Sequence, residues 1–240
     1  MSDAVTTIDN QFYNIIESRI KEKNKLIIIP NFVDTELYST KSSIALPIEF
    51  EKNKDYTDIL YAGNIGLAQE WDLIINLAIE IKEFKINMWI VGEGLKKDYL
   101  KSEIEKYNLH NIKLLPYYDR KYMPGINLFA DIHFIAMNKK VEKYGFPSKV
   151  YSIMASSRPI LVVSSEDTPI VSFLRDINAA LLVTDHTISK FKEELLRLHN
   201  SMDLRNKLGA NGRQEIERKY SKQAVIDQYI RLFNKLCWKF

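Results

Sequence analysis

Short apolar runs alternate along this chain with longer segments in which apolar side chains recur at helical spacing. The apolar runs do not alternate with polar positions, which indicates strands covered on both faces, as in a parallel sheet. Strands are predicted at residues 26–29, 58–63, 87–92, 111–116, 131–137, 159–164 and 180–184.

The segments between these strands predict helices. In the first of them Leu73, Leu77 and Ile81 lie on one apolar stripe. Helices are predicted at residues 69–82, 96–107, 123–129, 147–155, 188–199, 203–219 and 221–236. Regular alternation of strand and helix gives right-handed crossovers and predicts a doubly wound, Rossmann-like α/β fold with a parallel sheet. In such a sheet, ligands bind at the carboxyl ends of the strands.

Composition excludes several classes of protein. The 240 residues suit one large domain or two small ones, and 46% of them are hydrophobic, enough for a sizeable core. The formal net charge of +3 does not indicate nucleic acid as a partner. The N-terminus has no basic segment followed by an apolar run, and no stretch approaches the roughly 20 apolar residues that span a bilayer.

Cysteine and histidine usage adds a prediction about the compartment. Cys237 is the one cysteine, so no disulfide can form within the chain, and the four histidines have no zinc-ligand spacing. This pattern favours a reducing, cytoplasmic setting.

Two glycine pairs follow predicted strands. Gly63-Asn64-Ile65-Gly66 ends the strand at 58–63, where glycines let a backbone approach a ligand closely, or simply allow a tight turn. Gly92 and Gly94 end the next strand, but the third glycine of the dinucleotide motif is replaced by Lys97, which argues against NAD. No G-K-[ST] sequence is present, which excludes a P-loop.

The segment around Pro147 carries the strongest chemical signal. Pro147 suits the first turn of a helix, and the amides of Ser148 and Lys149 would then lack intrahelical partners. A positive helix end with an added ammonium predicts a diphosphate site. The alternative is an ordinary proline-started helix with an exposed lysine.

Four motifs occur in an order that resembles the retaining GT-B glycosyltransferases of family four: IIIPNFVDTELY, LYAGNIG, WIVGEG and GFPSKVYSIMASSRPIL. The resemblance extends from about Leu26 to the C-terminus. The sequences GNIGLAQ and YGFPSKVY are similar to those of bacterial enzymes that build O-antigen and capsule, including N-acetylfucosamine transferases. The resemblance implies that this chain is the donor-binding half of a GT-B fold.

Site residues follow from the resemblance position by position. It implies that Gly63, Asn64, Ile65, Gly66 and Gln69 face the donor phosphates together with Pro147, Ser148 and Lys149. It further implies a nucleobase and ribose site at Gly92, Tyr117, Tyr118 and Ser152. The family needs no divalent metal, and this chain contains no Asp-x-Asp sequence. The donor expected is a nucleotide-diphosphate sugar linked to UDP, as a substrate and not a cofactor.

The chain departs from the family pattern at three places. Many members carry two glutamates eight residues apart, where this chain has Tyr144 and Ser152. A serine in place of a ribose-binding carboxylate is expected to cost about 1–3 kcal/mol of donor affinity. Glu142 is a conceivable substitute for the first glutamate but is out of register, and the basic residue usual near Gln69 is absent.

The resemblance also predicts the domain organisation. Residues 1–25 would be a remnant of the N-terminal domain, with a helix at 6–23; residues 26–57 an interdomain strand and linker; and residues 58–220 the nucleotide-sugar-binding domain. The acceptor domain would then be supplied in cis or by a separate chain, with this chain a fragment, a truncated product or a split subunit.

The last segment, residues 221–240, is predicted to be a C-terminal helix with three possible positions. It could pack on its own domain, cross to the missing domain, or contact the inner face of a membrane through Lys235, Trp238 and Lys239.

Three functions compete at this point. The first is a retaining transferase half that moves a sugar to a saccharide or lipid-linked acceptor in surface polysaccharide synthesis and is inactive as an isolated chain. The second is a non-catalytic nucleotide-sugar-binding or interaction module. The third is an unrelated Rossmann-like binder of NAD or ATP.

Overall fold

The computed structural model describes residues 2–39 and 45–237, and within these ranges it contains two parallel sheets. The small sheet pairs β1 (Val5–Thr7) with β2 (Leu26–Ile28). The large sheet has six strands, which are β3 (Thr57–Ala62), β4 (Ile86–Val91), β5 (Ile112–Leu115), β6 (Ile132–Ala136), β7 (Ile160–Val163) and β8 (Ala180–Val183). The predicted α/β class and parallel sheet are confirmed.

The strand order of the large sheet fixes where a ligand can bind. The order is β5-β4-β3-β6-β7-β8, so the chain winds outward from β3 in one direction and then from β6 in the other. This is the Rossmann order, and its direction reverses between β3 and β6. The crevice at the carboxyl ends of these two strands is therefore the expected binding position.

Nine helices are described within the same ranges. They are α1 (Asn10–Glu17), α2 (Trp71–Glu80), α3 (Lys97–Lys106), α4 (Met123–Phe129), α5 (Lys149–Ala155), α6 (Pro169–Ile177), α7 (Ile188–Asn200), α8 (Met202–Glu215) and α9 (Lys222–Cys237). Side chains of α2, α3 and α7 pack on one face of the large sheet, and those of α4, α5 and α6 pack on the other. Covered on both sides, β6 and β7 are buried at every position.

The N-terminal segment and the C-terminal helix form a separate unit. Ile29 of the chain after β2 packs with Val225 and Leu232 of α9, and these three side chains form a cluster apart from those of the large sheet. The chain crosses between this unit and the large sheet twice, and the two crossings lie side by side, because Val33 N–H donates to Tyr220 O (2.9 Å).

Two predicted helices are corrected, and a third helix was missed. The helix predicted at 6–23 is wrong at its start, because residues up to Thr7 form β1, and α1 covers only Asn10–Glu17. Helix α6 was not predicted. The helix predicted from Pro147 begins instead at Lys149, with Pro147 and Ser148 in a preceding turn. Of the C-terminal segment, Trp238, Lys239 and Phe240 lie outside the described residues.

Candidate functional site

Two glycine-containing loops pack against each other at the carboxyl edge of β3 and β4. Gly63 and Gly92 have φ values of +146° and +151°, a region that residues with a side chain rarely adopt. A Cβ on Gly92 would lie 1.9 Å from Gly63 O, and one on Gly94 would lie 2.4 Å from Ile65 O. The glycines therefore serve close contact between the two loops as well as any approach to a ligand.

The first glycine loop, residues 63–66, is anchored mostly through its backbone. Tyr61 Oη donates to Asn64 O (2.6 Å), and Trp71 Nε1 donates to Gly66 O (2.7 Å). No described residue accepts from the N–H of Asn64 or Gly66. These two amides are free to donate to a ligand.

Ile65 does not take the position predicted for it. Its side chain is fully buried in the core, its N–H donates to Glu93 O (2.8 Å), and its carbonyl accepts from Lys96 N (2.9 Å). Both backbone groups of Ile65 are thus used within the fold. The structure assigns it to packing between the two loops.

Among the described residues, two basic side chains have a buried nitrogen without a hydrogen-bond acceptor, Lys149 and Arg158. Arg158 still donates through Nη2 to Leu128 O, whereas the Nζ of Lys149 has no acceptor. Its Nζ lies 3.6 Å from the ring centre of Tyr61 on β3, and a Cβ on Gly63 would lie 2.7 Å from it. Burial lowers the pKa of Lys149 to about 7. The first residue of α5 thus places a titratable amine beside the end of β3, at the crevice between β3 and β6.

Free backbone amides surround the start of α5. Among the described residues none accepts a hydrogen bond from the N–H of Gly145, Phe146, Ser148 or Lys149. Ser148 is exposed, whereas Pro147 is half-buried and its carbonyl accepts from Val150 N (3.0 Å). This end of the helix carries unpaired N–H groups and the positive end of the helix dipole.

Gln69 fastens the segment after the first glycine loop to the end of β6. It forms an isolated antiparallel bridge with Met137, and the neighbouring Glu70 N–H donates to Ala136 O (2.9 Å). Its side chain is buried and Oε1 has no hydrogen-bond partner. It borders a cavity of about 390 Å³ together with Leu67, Lys96 and Asn138.

The residues predicted for the nucleobase and ribose are not all available to a ligand. Tyr117 is 65% exposed after β5, but Tyr118 packs edge-on against Phe50 (ring centres 5.8 Å apart). Ser152 Oγ donates to Lys149 O (2.9 Å) and accepts from Asn127 Nδ2 (3.3 Å). A hydroxyl has one donor, so Ser152 could bind a ribose diol only through its remaining acceptor capacity.

Glu142 lies outside the site and holds the loop that leads to Lys149. It is buried at 2% exposure and accepts from Ser164 Oγ (3.0 Å), Ser165 N (2.9 Å) and His186 Nε2 (3.1 Å). Burial alone would raise the pKa of Glu142, but the hydrogen bonds from Ser165 and Ser164 and the charge of His186 outweigh it and lower the pKa. Glu142 is therefore no substitute for a sugar-binding glutamate.

A larger cavity, of about 940 Å³, opens between the N-terminal unit and α6. Phe146 and Tyr151 line it, but Lys149 does not. Tyr151 and Lys149 lie two positions apart on α5 and therefore on nearly opposite sides of the helix. Charge and hydrogen-bonding capacity, rather than volume, identify the crevice at Lys149 as the candidate site.

The described residues contain neither a metal-binding cluster nor a membrane-spanning helix. No group of three or more histidine, cysteine, aspartate or glutamate side chains in residues 2–39 and 45–237 is arranged to hold a metal ion. Over the same ranges, no helix combines the length and apolar character that crossing a membrane requires.

The sequence matches a protein-family model, glycosyl transferases group 1, over residues 44–215. It is 26% identical over 165 residues to a poly(ribitol-phosphate) alpha-N-acetylglucosaminyltransferase of Staphylococcus aureus, covering 68% of this chain and 32% of that protein. It is 23% identical over 244 residues to the putative colanic acid biosynthesis glycosyl transferase WcaI of Escherichia coli, covering 95% of this chain and 56% of WcaI. The chain thus spans from about a third to somewhat over half of these relatives.

Solved structures share the fold at low sequence identity. A glycosyltransferase from Rickettsia africae superposes with a TM-score of 0.80 at 12% identity, covering 98% of this chain and 64% of that one. Anabaena Alr3699/HepE, in complex with UDP and glucose, gives 0.76 at 12% identity, covering 98% and 63%. TarM of S. aureus, in a complex that contains UDP, gives 0.71 at 20% identity, covering 97% and 44%.

Proposed function

Because this chain belongs to the glycosyl transferases group 1 family, we propose that it is the donor-binding half of a transferase that uses a nucleotide-diphosphate sugar. The observation that carries the proposal is the buried, unpartnered amine of Lys149 at the reversal point of the sheet. The two phosphates of the donor would accept hydrogen bonds from this amine and the surrounding free amides, and would supply the opposite charge.

Catalysis would consist of stabilising charge on the leaving diphosphate. The free amides of Ser148 and Lys149, those of Asn64 and Gly66, and the Lys149 ammonium are fixed before the reaction, so they need no reorganisation as charge develops. The complexes of HepE and TarM contain UDP, which supports UDP as the carrier here. The motif order resembles retaining enzymes, so we propose transfer with retention of anomeric configuration.

An acceptor domain would complete the enzyme at the N-terminal unit. The small sheet has only two strands within the described residues, and Phe12, Ile15, Ile230 and Phe233 of the flanking helices are 43–57% exposed. A further sheet, in cis or from a separate chain, would cover such side chains. One relative is named for transfer to poly(ribitol-phosphate) and another for colanic acid biosynthesis, which supports an acceptor in surface-polymer synthesis. We propose that it is a saccharide or a lipid-linked saccharide.

Calorimetric titration with UDP-glucose, UDP-N-acetylglucosamine and GDP-mannose tests the donor assignment. We expect the UDP-linked donors to bind and Lys149→Met to weaken binding at least about tenfold, the loss typical of a charge-assisted hydrogen bond. Lys106→Met is the matched control, since Lys106 also lies over an aromatic ring (4.5 Å from the centre of Tyr107) but is exposed. Absence of heat with all three nucleotide sugars would contradict the proposal.

One observation favours a second candidate, a binding module without transferase activity. Ser152 stands where related enzymes carry a ribose-binding glutamate, and its hydroxyl is already engaged by Asn127 and the Lys149 carbonyl. Donor binding without transfer, after an intact acceptor domain has been added, would identify the module. Transfer of radiolabelled sugar under the same conditions would exclude it.

A further inference from the structure

Among the described residues, nothing around Lys149 stabilises a positive charge well. From β3, the face of the Tyr61 ring covers the amine at 3.6 Å, and from β6 His133 is close enough for the charge of Lys149 to lower its pKa. Burial lowers the pKa of His133 to about 3, so its imidazole is neutral at physiological pH. Burial also lowers the pKa of Lys149, and no carboxylate of the described residues counteracts it.

The helix adds an unfavourable field. Lys149 is the first residue of α5, and the N-terminal end of a helix carries a partial positive charge that repels an ammonium. A buried ammonium without a hydrogen-bond acceptor loses its hydration without compensation, whereas the neutral amine loses much less. Of the residues that the structure describes, the ring of Tyr61 alone offsets this penalty, through a cation–π contact. In the free chain the neutral amine is therefore well populated near pH 7.

A bound diphosphate reverses this balance. Its negative charges would face the amine inside a buried site, where an ion pair is screened little by water. Relying on the proposed donor site, we propose that the Lys149 amine takes up one proton from solvent when a nucleotide-diphosphate sugar binds, and returns it when the nucleotide leaves. In this step one N–H bond forms at Nζ, and the bond that holds the proton in a solvent or buffer acid breaks. The ammonium then neutralises one of the two negative charges of the diphosphate.

The coupling predicts a specific dependence on pH. With the amine half-neutral near pH 7 in the free chain, binding should take up about 0.9 proton at pH 8 and about 0.1 proton at pH 6. Above pH 7, donor affinity should fall by close to tenfold for each unit of pH. The diphosphate of UDP-glucose does not titrate in this range, since each phosphorus carries a single strongly acidic proton.

The test is titration calorimetry of the whole chain with UDP-glucose at pH 6 and pH 8, in buffers of different ionisation enthalpy. The slope of observed enthalpy against buffer ionisation enthalpy counts the protons taken up. Lys149→Arg should bind with an uptake near zero at both pH values, because a guanidinium stays charged. Lys106→Met should bind with the uptake of the unmodified chain.

Each outcome decides a different question. Binding at pH 8 without proton uptake, or uptake that persists in Lys149→Arg, overturns the proton coupling and leaves the donor site standing. If no nucleotide sugar binds, the proposed function fails. The lowered pKa of Lys149 is then tested in the free chain by NMR. Titration of the ¹³Cε resonance of Lys149 in the free chain should show a midpoint near 7, and a midpoint near 10 would overturn the inference.

Discussion

At the scale of single residues, Lys149 illustrates a conflict between stability and binding. Its pKa is lowered from 10.5 in an unfolded chain to about 7 in the fold, so folding buries a charge below pH 7 and releases a proton between pH 7 and 10.5. For a base whose folded pKa is lowered, this cost is fully present below the folded pKa and disappears as pH rises towards 10.5. The residue is therefore retained in the fold despite a stability penalty.

Lys149→Met should accordingly stabilise the chain by about 4 kcal/mol at pH 7, since the apolar side chain has no proton to lose. The free energy of unfolding of the unmodified chain should rise by about 2 kcal/mol between pH 7 and pH 9, and that of the variant should not. Urea unfolding at both pH values measures this difference. Equal stabilities of the two proteins at pH 7 would contradict it.

Gly92 is constrained by geometry rather than by charge. Gly92→Ala should lower the free energy of unfolding by about 3 kcal/mol or more, because the new Cβ would lie 1.9 Å from Gly63 O at a φ of +151°. Gly145→Ala is the control, since its Cβ would meet nothing closer than 3.9 Å. A small effect at Gly92, equal to that at Gly145, would show that the two loops are not held in contact.

At the scale of elements, the strands and most helices of the large sheet could be predicted from the sequence, because buried runs and amphipathic stripes are local signals. Helix α6 could have been predicted too, since Pro169 opens it and Ile170, Val171 and Leu174 form its buried stripe. The three residues of β1 could not, because a strand this short is defined by its pairing with β2, 21 positions away.

The site was only partly predictable for a related reason. Pro147, Ser148 and Lys149 are adjacent in the sequence, so their helix-start chemistry could be recognised. The contact of Lys149 with Tyr61 joins α5 to β3 across 88 positions, and no pattern in either segment indicates it. The engagement of Ile65 and Ser152 in internal hydrogen bonds likewise depends on neighbours that the fold supplies.

Glu142 holds the loop between β6 and α5 through hydrogen bonds from Ser164, Ser165 and His186. Glu142→Gln should lower the free energy of unfolding by about 3 kcal/mol, because the amide cannot replace a carboxylate that accepts from Ser164, Ser165 and His186. Donor affinity should fall as well, since the same loop delivers Lys149. Chemical unfolding and calorimetry measure the two effects.

His186→Asn is the matched variant for Glu142. Asparagine tolerates the left-handed backbone of His186 (φ +56°), and the change removes only one donor to Glu142. The free energy of unfolding should therefore fall by about 1 kcal/mol. A loss at His186 as large as that at Glu142 would indicate that the ion pair, rather than the hydrogen bonds to the loop, holds this region.

At the scale of the whole molecule, the chain consists of a large sheet with its helices and a small unit joined by two adjacent crossings. The small unit has its own cluster around Ile29, Val225 and Leu232. Units with separate clusters open separately when their contacts are weakened. The fold class of the large sheet was predictable, whereas the packing of α9 on β2 depends on contacts across some 200 residues.

Leu232→Ser should therefore open the small unit without unfolding the large sheet. Hydrogen–deuterium exchange should speed up in β1, β2 and α9, by about a hundredfold for a loss of roughly 3 kcal/mol, while β3 to β8 stay protected. Phe233→Ser, at a side chain that is 57% exposed, should leave exchange unchanged. Faster exchange throughout the large sheet would show that the two units unfold as one.

The hydrogen bond from the Trp71 indole to the Gly66 carbonyl gives this chain a built-in optical reporter. Indole emission responds to the polarity and hydrogen bonding around Nε1, and Trp71 is 97% buried directly behind the first glycine loop. The indole of Trp89 donates instead to Asp58, which lies near the amino end of β3, away from the crevice. With Trp89 and Trp238 replaced by phenylalanine, a change of emission on adding nucleotide would record occupancy of the crevice without any label.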